Sequence, residues 1–164
     1  MTLAAAGYGG PGPSEEDDMS LLNLATRRRI AAVAYEVAKN NGARYDTNNK
    51  YNDLAPIGAP KCNIYVRDVL NQAGAMTPKF SANEWGNPRT NIPNWSPVTD
   101  GTVEPGDVVA FPRLGDSGHV GIVPAGAVGS TPDVLAATYG GVLPTQAFWN
   151  RPAGKTVVWR WNDY

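Results

Sequence analysis

The sequence predicts an α+β fold in which two helices precede a run of antiparallel strands. The first half contains segments whose apolar residues recur at helical spacing, and the second half contains short apolar runs separated by turn residues. Helices followed by a run of strands are typical of an α+β domain with an antiparallel sheet. A chain of 164 residues is the size of one domain with a sizeable core.

The first predicted helix follows a leader. Residues 1–17 combine glycine and proline with the acidic run "EEDD", which is typical of a flexible segment, so we assign residues 18–164 to a single domain. Asp18 or Ser20 can cap the helix, and Gly42 can end it. Its predicted buried face comprises Ile30, Val33, Ala34, Val37 and Ala38.

A second helix is predicted to begin near Cys62 and to end at Gly74. Residues 42–60 before it are rich in turn formers and are predicted to be a loop, and Pro60 suits a helix entrance. The predicted apolar stripe of this helix comprises Cys62, Tyr65 or Val66, Val69, Leu70 and Ala73.

Residues 75–105 are rich in proline and are predicted to form a long structured loop. Trp85 and Trp95 in this loop could contact sugar or peptide at a cleft. We favour the alternative that they pin the loop to the body of the domain, because ordering a long loop is otherwise costly. The predicted strands are 107–112, 119–124, 133–139 and 155–161.

Composition and charge exclude several classes of protein. A formal net charge of −1 offers no electrostatic case for binding nucleic acid or an anionic membrane. One cysteine excludes an internal disulfide, and one cysteine with one histidine is too few for a structural zinc site. No stretch approaches the roughly 20 apolar residues that span a bilayer, and the first 20 residues lack the features of a Sec signal peptide.

Cys62 and His119 are the two residues with the potential for covalent catalysis. Cys62 is predicted at a helix start, where a thiol pKa is lowered and where a free backbone N–H can stabilise an oxyanion. His119 begins a predicted strand, from which it can act as general base toward the thiol. The alternative is that both are core residues of a helix and a strand, which is the more common role of such residues.

The sequence around both residues resembles the NlpC-type and CHAP-type cell-wall cysteine peptidases. The similarity lies in "KCNIYVRDVLNQAG", "EPGDVVAFP" and "SGHVGIV", and it extends over roughly residues 45–161. These families pair a cysteine at a helix start with a "GD" strand and a "HVGI" strand. The segment "NEWGNP…IPNW" between the halves is similar to peptidoglycan amidase effectors of type VI secretion.

This resemblance implies a papain-like (NlpC-like) fold, with N-terminal helices packed on a small antiparallel sheet. It makes Cys62 the nucleophile and His119 the base, with no metal or cofactor. It also implies a cleft-lining role for Tyr51, whose alternative is packing of the loop. The third catalytic position stays open, because the next predicted strand reads "DVLAATY" and offers only Thr138, a backbone carbonyl or a water.

The resemblance also has departures and rival functions. NlpC-like enzymes usually carry aspartate before the cysteine and serine after it, whereas this chain has Lys61 and Asn63. The implied function is hydrolysis of an amide bond in the peptidoglycan stem peptide by a secreted antibacterial effector, made without a Sec signal and acting in the target-cell periplasm. Its implied partners are a secretion machinery and a cognate immunity protein. A phage endolysin, a deamidase or acyltransferase toxin acting on a host protein, and an inactive wall-binding module are the alternatives.

Overall fold

The fold is α+β, as predicted, with helices packed on one face of an antiparallel sheet. The computed structural model describes residues 12, 14–48, 59–75, 77–152 and 155–163. The helices are α1 (Glu15–Asn41), a 3₁₀ helix (Gly42–Tyr45), α2 (Cys62–Ala73) and α3 (Ala82–Trp85). The strands are β1 (Trp95–Pro97), β2 (Val108–Phe111), β3 (His119–Ile122), β4 (Val134–Thr138), β5 (Gly141–Thr145) and β6 (Val157–Trp161).

The strands form one six-stranded sheet in the order β1-β6-β2-β3-β4-β5, and every neighbouring pair is antiparallel. The four predicted strands correspond to β2, β3, β4 and β6. The two edge strands, β1 and β5, were not expected from the sequence. Each is short and contains a proline, Pro97 or Pro144, which is compatible with an edge position but argues against a strand in a sequence pattern.

Helix α1 begins earlier than predicted. Its cap is Ser14, whose hydroxyl accepts the N–H of Asp17 at 3.2 Å while the Asp17 carboxylate accepts the N–H of Ser14 at 3.1 Å. The prediction of Asp18 or Ser20 as the cap is therefore wrong, because this reciprocal pair is completed one turn earlier. Residues 1–11 and 13 of the predicted leader lie outside the described residues, so a leader that ends at residue 17 stays a prediction.

Helices α1 and α2 bury their apolar faces against one side of the sheet, and the predicted stripe of α2 is buried throughout. The hydroxyl of Tyr65 donates to the carbonyl of Ala34 at 2.9 Å, which links α2 to α1. None of the helices in the described ranges is long and apolar enough to cross a membrane. A second apolar cluster covers the opposite face and comprises Val109, Phe111, Val123, Val134, Ala136 and Phe148.

The turn before β2 is clamped by a buried ion pair. Asp107 is fully buried, and its carboxylate accepts from Arg160 Nε at 2.9 Å and Arg160 Nη2 at 2.8 Å. Burial raises the pKa of Asp107, while Arg160 and the N–H of Glu104 oppose that rise. Gly106 has φ 91°, and a side chain there would place a Cβ 2.2 Å from the carbonyl oxygen of Arg27. The "PGD" turn thus fixes β2 to β6 and to α1.

The long loop is pinned by tryptophan, which confirms the favoured interpretation. Trp85 and Trp95 are buried, and their rings pack edge-on at 5.5 Å. The indole N–H of Trp159 donates to the carbonyl of Trp85 at 2.6 Å. The predicted loop therefore contains two elements that the sequence pattern did not reveal, α3 and β1.

Candidate active site

Cys62 is the first residue of α2 and is only 2% exposed. The backbone N–H groups of Val120, Asn63 and Cys62 itself lie near its thiol and act to lower its pKa. Burial is the larger effect and raises the pKa of Cys62 overall. The expectation of a lowered pKa is therefore wrong, because it considered the helix start but not the loss of water around the sulfur.

Lys61, which precedes the cysteine, is an anchor for the start of α2. It is fully buried, and its ammonium group donates to the backbone carbonyl of Asp46. The Asp46 carboxylate in turn accepts the N–H of Asn48 at 2.9 Å and the N–H of Gly140 at 3.0 Å. Lys61, at the position where NlpC-like enzymes carry an aspartate, thus fixes the start of α2 to the segment that follows the 3₁₀ helix.

His119 is the first residue of β3, and its ring lies among aromatic side chains. It stacks on Phe148 with ring centroids 5.0 Å apart and an interplanar angle of 13°, and it lies 5.8 Å from the ring of Phe111. Phe111 is directly across the β2–β3 ladder from His119. Burial, assisted by the positive charges of Arg113 and Arg151, lowers the pKa of His119 to about 4.

The structure brings the thiol of Cys62 to the strand that carries His119. Val120, whose N–H faces the thiol, directly follows His119 and belongs to the core on the helix side of the sheet. The aromatic neighbours of His119 belong to the cluster on the other side. No hydrogen bond joins the thiol to the imidazole in the part of the chain that the structure describes.

Of the two remaining predicted site residues, the structure describes Thr138 and not Tyr51. Thr138 is the last residue of β4, and its carbonyl accepts the N–H of Thr47 at 3.3 Å. Its assignment to the third catalytic position stays a prediction. Tyr51 lies outside the described residues, so its place at the cleft also stays a prediction.

Sequence reasoning missed the residues that hold the loop before His119. The side chain of Asn83 in α3 donates to the carbonyl of Asp116 at 2.9 Å and accepts the N–H of Arg113 at 3.0 Å. Gly118 packs against the same side chain, since a Cβ there would be 2.6 Å from Asn83 Oδ1 and 2.4 Å from the carbonyl oxygen of Phe111. Such contacts join segments distant in sequence, and no local motif signals them.

A cavity of the described structure lies away from these residues. It measures about 870 Å³, lies between α1 and the β1–β6 edge, and is lined by residues that include Asn23, Arg27 and Arg160. Neither Cys62 nor His119 lines it, so this cavity is not the candidate site. Among the described residues, no group of three or more His, Cys, Asp or Glu side chains could hold a metal ion.

Comparison with protein families identifies the architecture around these residues. The family model of the CHAP domain matches residues 49–137, a span that includes Cys62 and His119 and exceeds half of the chain. The chain belongs to the CHAP domain family. CHAP domains are papain-like, cysteine- and histidine-dependent amidohydrolases and peptidases. No curated protein and no solved structure matches the chain.

The pKa of His119 makes a prediction about stability. Because the pKa is 6.5 for an ordinary histidine and about 4 in the folded CHAP domain, the folded state binds fewer protons than the unfolded chain between these pH values. The stabilising contribution is therefore complete above pH 6.5 and is lost as the pH falls toward 4. Urea unfolding of wild type and His119→Gln should show wild type losing on the order of 3 kcal/mol more over this range. Free energies of unfolding that change in parallel for the two proteins between pH 6.5 and 5 would contradict the lowered pKa of His119.

The pKa of Cys62 makes a prediction about reactivity. Since burial raises the pKa of the thiol, iodoacetamide should alkylate the folded protein slowly at pH 7. The rate should rise only above the ordinary thiol pKa of about 8.5. The same chain in urea, where the thiol is exposed, is the control and should react faster at each pH. Fast labelling of the folded protein at pH 6 would instead indicate a thiolate stabilised by an imidazolium ion.

Proposed function

We propose that this CHAP domain is a cysteine amidase that cleaves an amide bond in the stem peptide of bacterial peptidoglycan. The observation that carries the proposal is the position of the Cys62 thiol, at the start of α2 and against the N–H of the residue that follows His119. The family supports it, because CHAP domains are hydrolases that act on peptidoglycan.

In the proposed mechanism, Cys62 Sγ attacks the amide carbonyl while His119 takes the thiol proton. Both groups are neutral near pH 7, so the proton moves during the attack and not before it. In the resting protein the imidazole stacks on Phe148, away from the thiol, so the mechanism requires the ring to turn toward Cys62 in the substrate complex, where their hydrogen bond forms. The backbone N–H groups that face the sulfur then stabilise the oxyanion.

The second half of the reaction releases the products. The His119 imidazolium donates its proton to the leaving amine, and the acyl group stays on Cys62 as a thioester. Water, deprotonated by His119, attacks the thioester and regenerates the thiol. In this proposal the stack on Phe148 is the resting position of the His119 ring, and the residue that orients the ring during the reaction stays open between Thr138, a backbone carbonyl and a water.

Hydrolysis of isolated sacculi tests the two catalytic assignments. Cys62→Ala, His119→Ala and the double variant should each lose activity by about three orders of magnitude or more, because interdependent groups fail together. Gln72→Ala, at an exposed position of the same helix, is the matched control and should retain activity. Mass spectrometry of the muropeptides identifies the bond, and thermal unfolding confirms that each variant folds. More than a few per cent activity in Cys62→Ala would overturn the mechanism.

We further propose that the domain acts as an antibacterial effector in the periplasm, delivered by a secretion apparatus and countered by an immunity protein. Expression in the cytoplasm of a Gram-negative host should then be tolerated, because the substrate lies across the inner membrane. Fusion to a cleavable signal peptide should cause lysis, and Cys62→Ala should relieve it. Equal, Cys62-dependent killing from both compartments would instead favour a toxin that acts on a cytoplasmic protein.

A further inference from the structure

Two arginines flank the aromatic cluster that holds His119. The guanidinium carbon of Arg151 lies 3.6 Å from the ring centroid of Phe111, and that of Arg113 lies 5.4 Å from it. The Phe111 ring is itself 5.8 Å from the imidazole ring of His119. Arg113 comes from the loop after β2 and Arg151 from the segment after β5, so two separate parts of the chain converge on one side of the histidine.

Little acidic charge opposes these arginines. Arg113 Nη1 lies 4.0 Å from Asp116 Oδ2, with side chains that are 46% and 67% exposed, which makes this a loose surface pair. Arg151 forms no ion pair among the residues that the structure describes. The field of Arg113 reaches both reacting groups, because its charge lowers the pKa of His119 and of Cys62 alike.

The geometry leaves the guanidinium groups able to bind an anion. A guanidinium that lies over an aromatic face still presents N–H donors along its edges, and those donors match the two oxygens of a carboxylate. Packing against Phe111 also limits the side-chain freedom that binding would otherwise remove.

We propose that Arg113 and Arg151 determine substrate specificity by binding a free carboxylate close to the cleaved amide bond. The preferred substrates are therefore stem peptides in which that carboxyl group is unmodified, and amidated stem peptides are poor substrates. This proposal rests on the proposed function, since it concerns the same reaction at Cys62.

Steady-state kinetics on paired stem peptides test the proposal. The two peptides are identical except that the carboxyl group beside the cleaved bond is free in one and a carboxamide in the other. Wild type should prefer the free carboxylate by about tenfold or more in kcat/KM, because a charge-assisted hydrogen bond is lost with the amide. Arg113→Gln and Arg151→Gln should raise KM for the carboxylate peptide and leave the carboxamide peptide little affected. Arg29→Gln, at an exposed position of α1, should behave as wild type.

The outcomes separate the two proposals. If wild type hydrolyses neither the two peptides nor sacculi, the proposed amidase activity is overturned. Hydrolysis of both peptides with equal kcat/KM overturns only the carboxylate specificity, as does an equal loss on both peptides in the arginine variants. Arg151→Met keeps an apolar contact with Phe111 without the charge and replaces Arg151→Gln if thermal unfolding shows that the latter does not fold.

Discussion

The contact between the first turn of α2 and the start of β3 is the constraint on which the candidate site depends. Buried Lys61 holds the chain just before this turn, and the hydroxyl of Tyr65 ties the same turn to α1. Because the Lys61 ammonium group is fully buried, loss of its carbonyl partner would leave a buried charge unpaired. These anchors place the thiol of Cys62 close to the N–H of Val120.

This contact also determines the chemistry of the site. Burial disfavours the charged form of both reacting groups, so it raises the pKa of Cys62 and lowers that of His119. The resting pair is then a neutral thiol and a neutral imidazole. In the proposed mechanism charge arises only when a substrate is attacked, and the N–H groups at the helix start and the nearby arginines would stabilise negative charge at that moment.

Sequence patterns predicted the elements that carry Cys62 and His119, because α1 and α2 repeat their apolar residues at helical spacing and β3 is a short apolar run. The edge strands β1 and β5 were not predicted, because Pro97 and Pro144 argue against a strand in a sequence pattern. Asn83 and Phe148 escaped prediction for another reason: their contacts bring together segments far apart in sequence. The sign of the pKa shift at Cys62 also depends on burial, a tertiary property that a helix-start motif does not contain.

The alternation of side chains along β3 explains how one short strand serves both the core and the chemistry. Val120 and Ile122 pack against the helices, whereas His119 faces the cluster of Phe111 and Phe148 on the other side of the sheet. An ionised group on the helix side loses its hydration and needs a buried partner, as Lys61 has in the carbonyl of Asp46. The opposite side is partly open to solvent at its margin, where Arg113 is 46% exposed. Cationic side chains can therefore lie around the histidine at small cost to the fold, while α2 packs on the other side of the sheet.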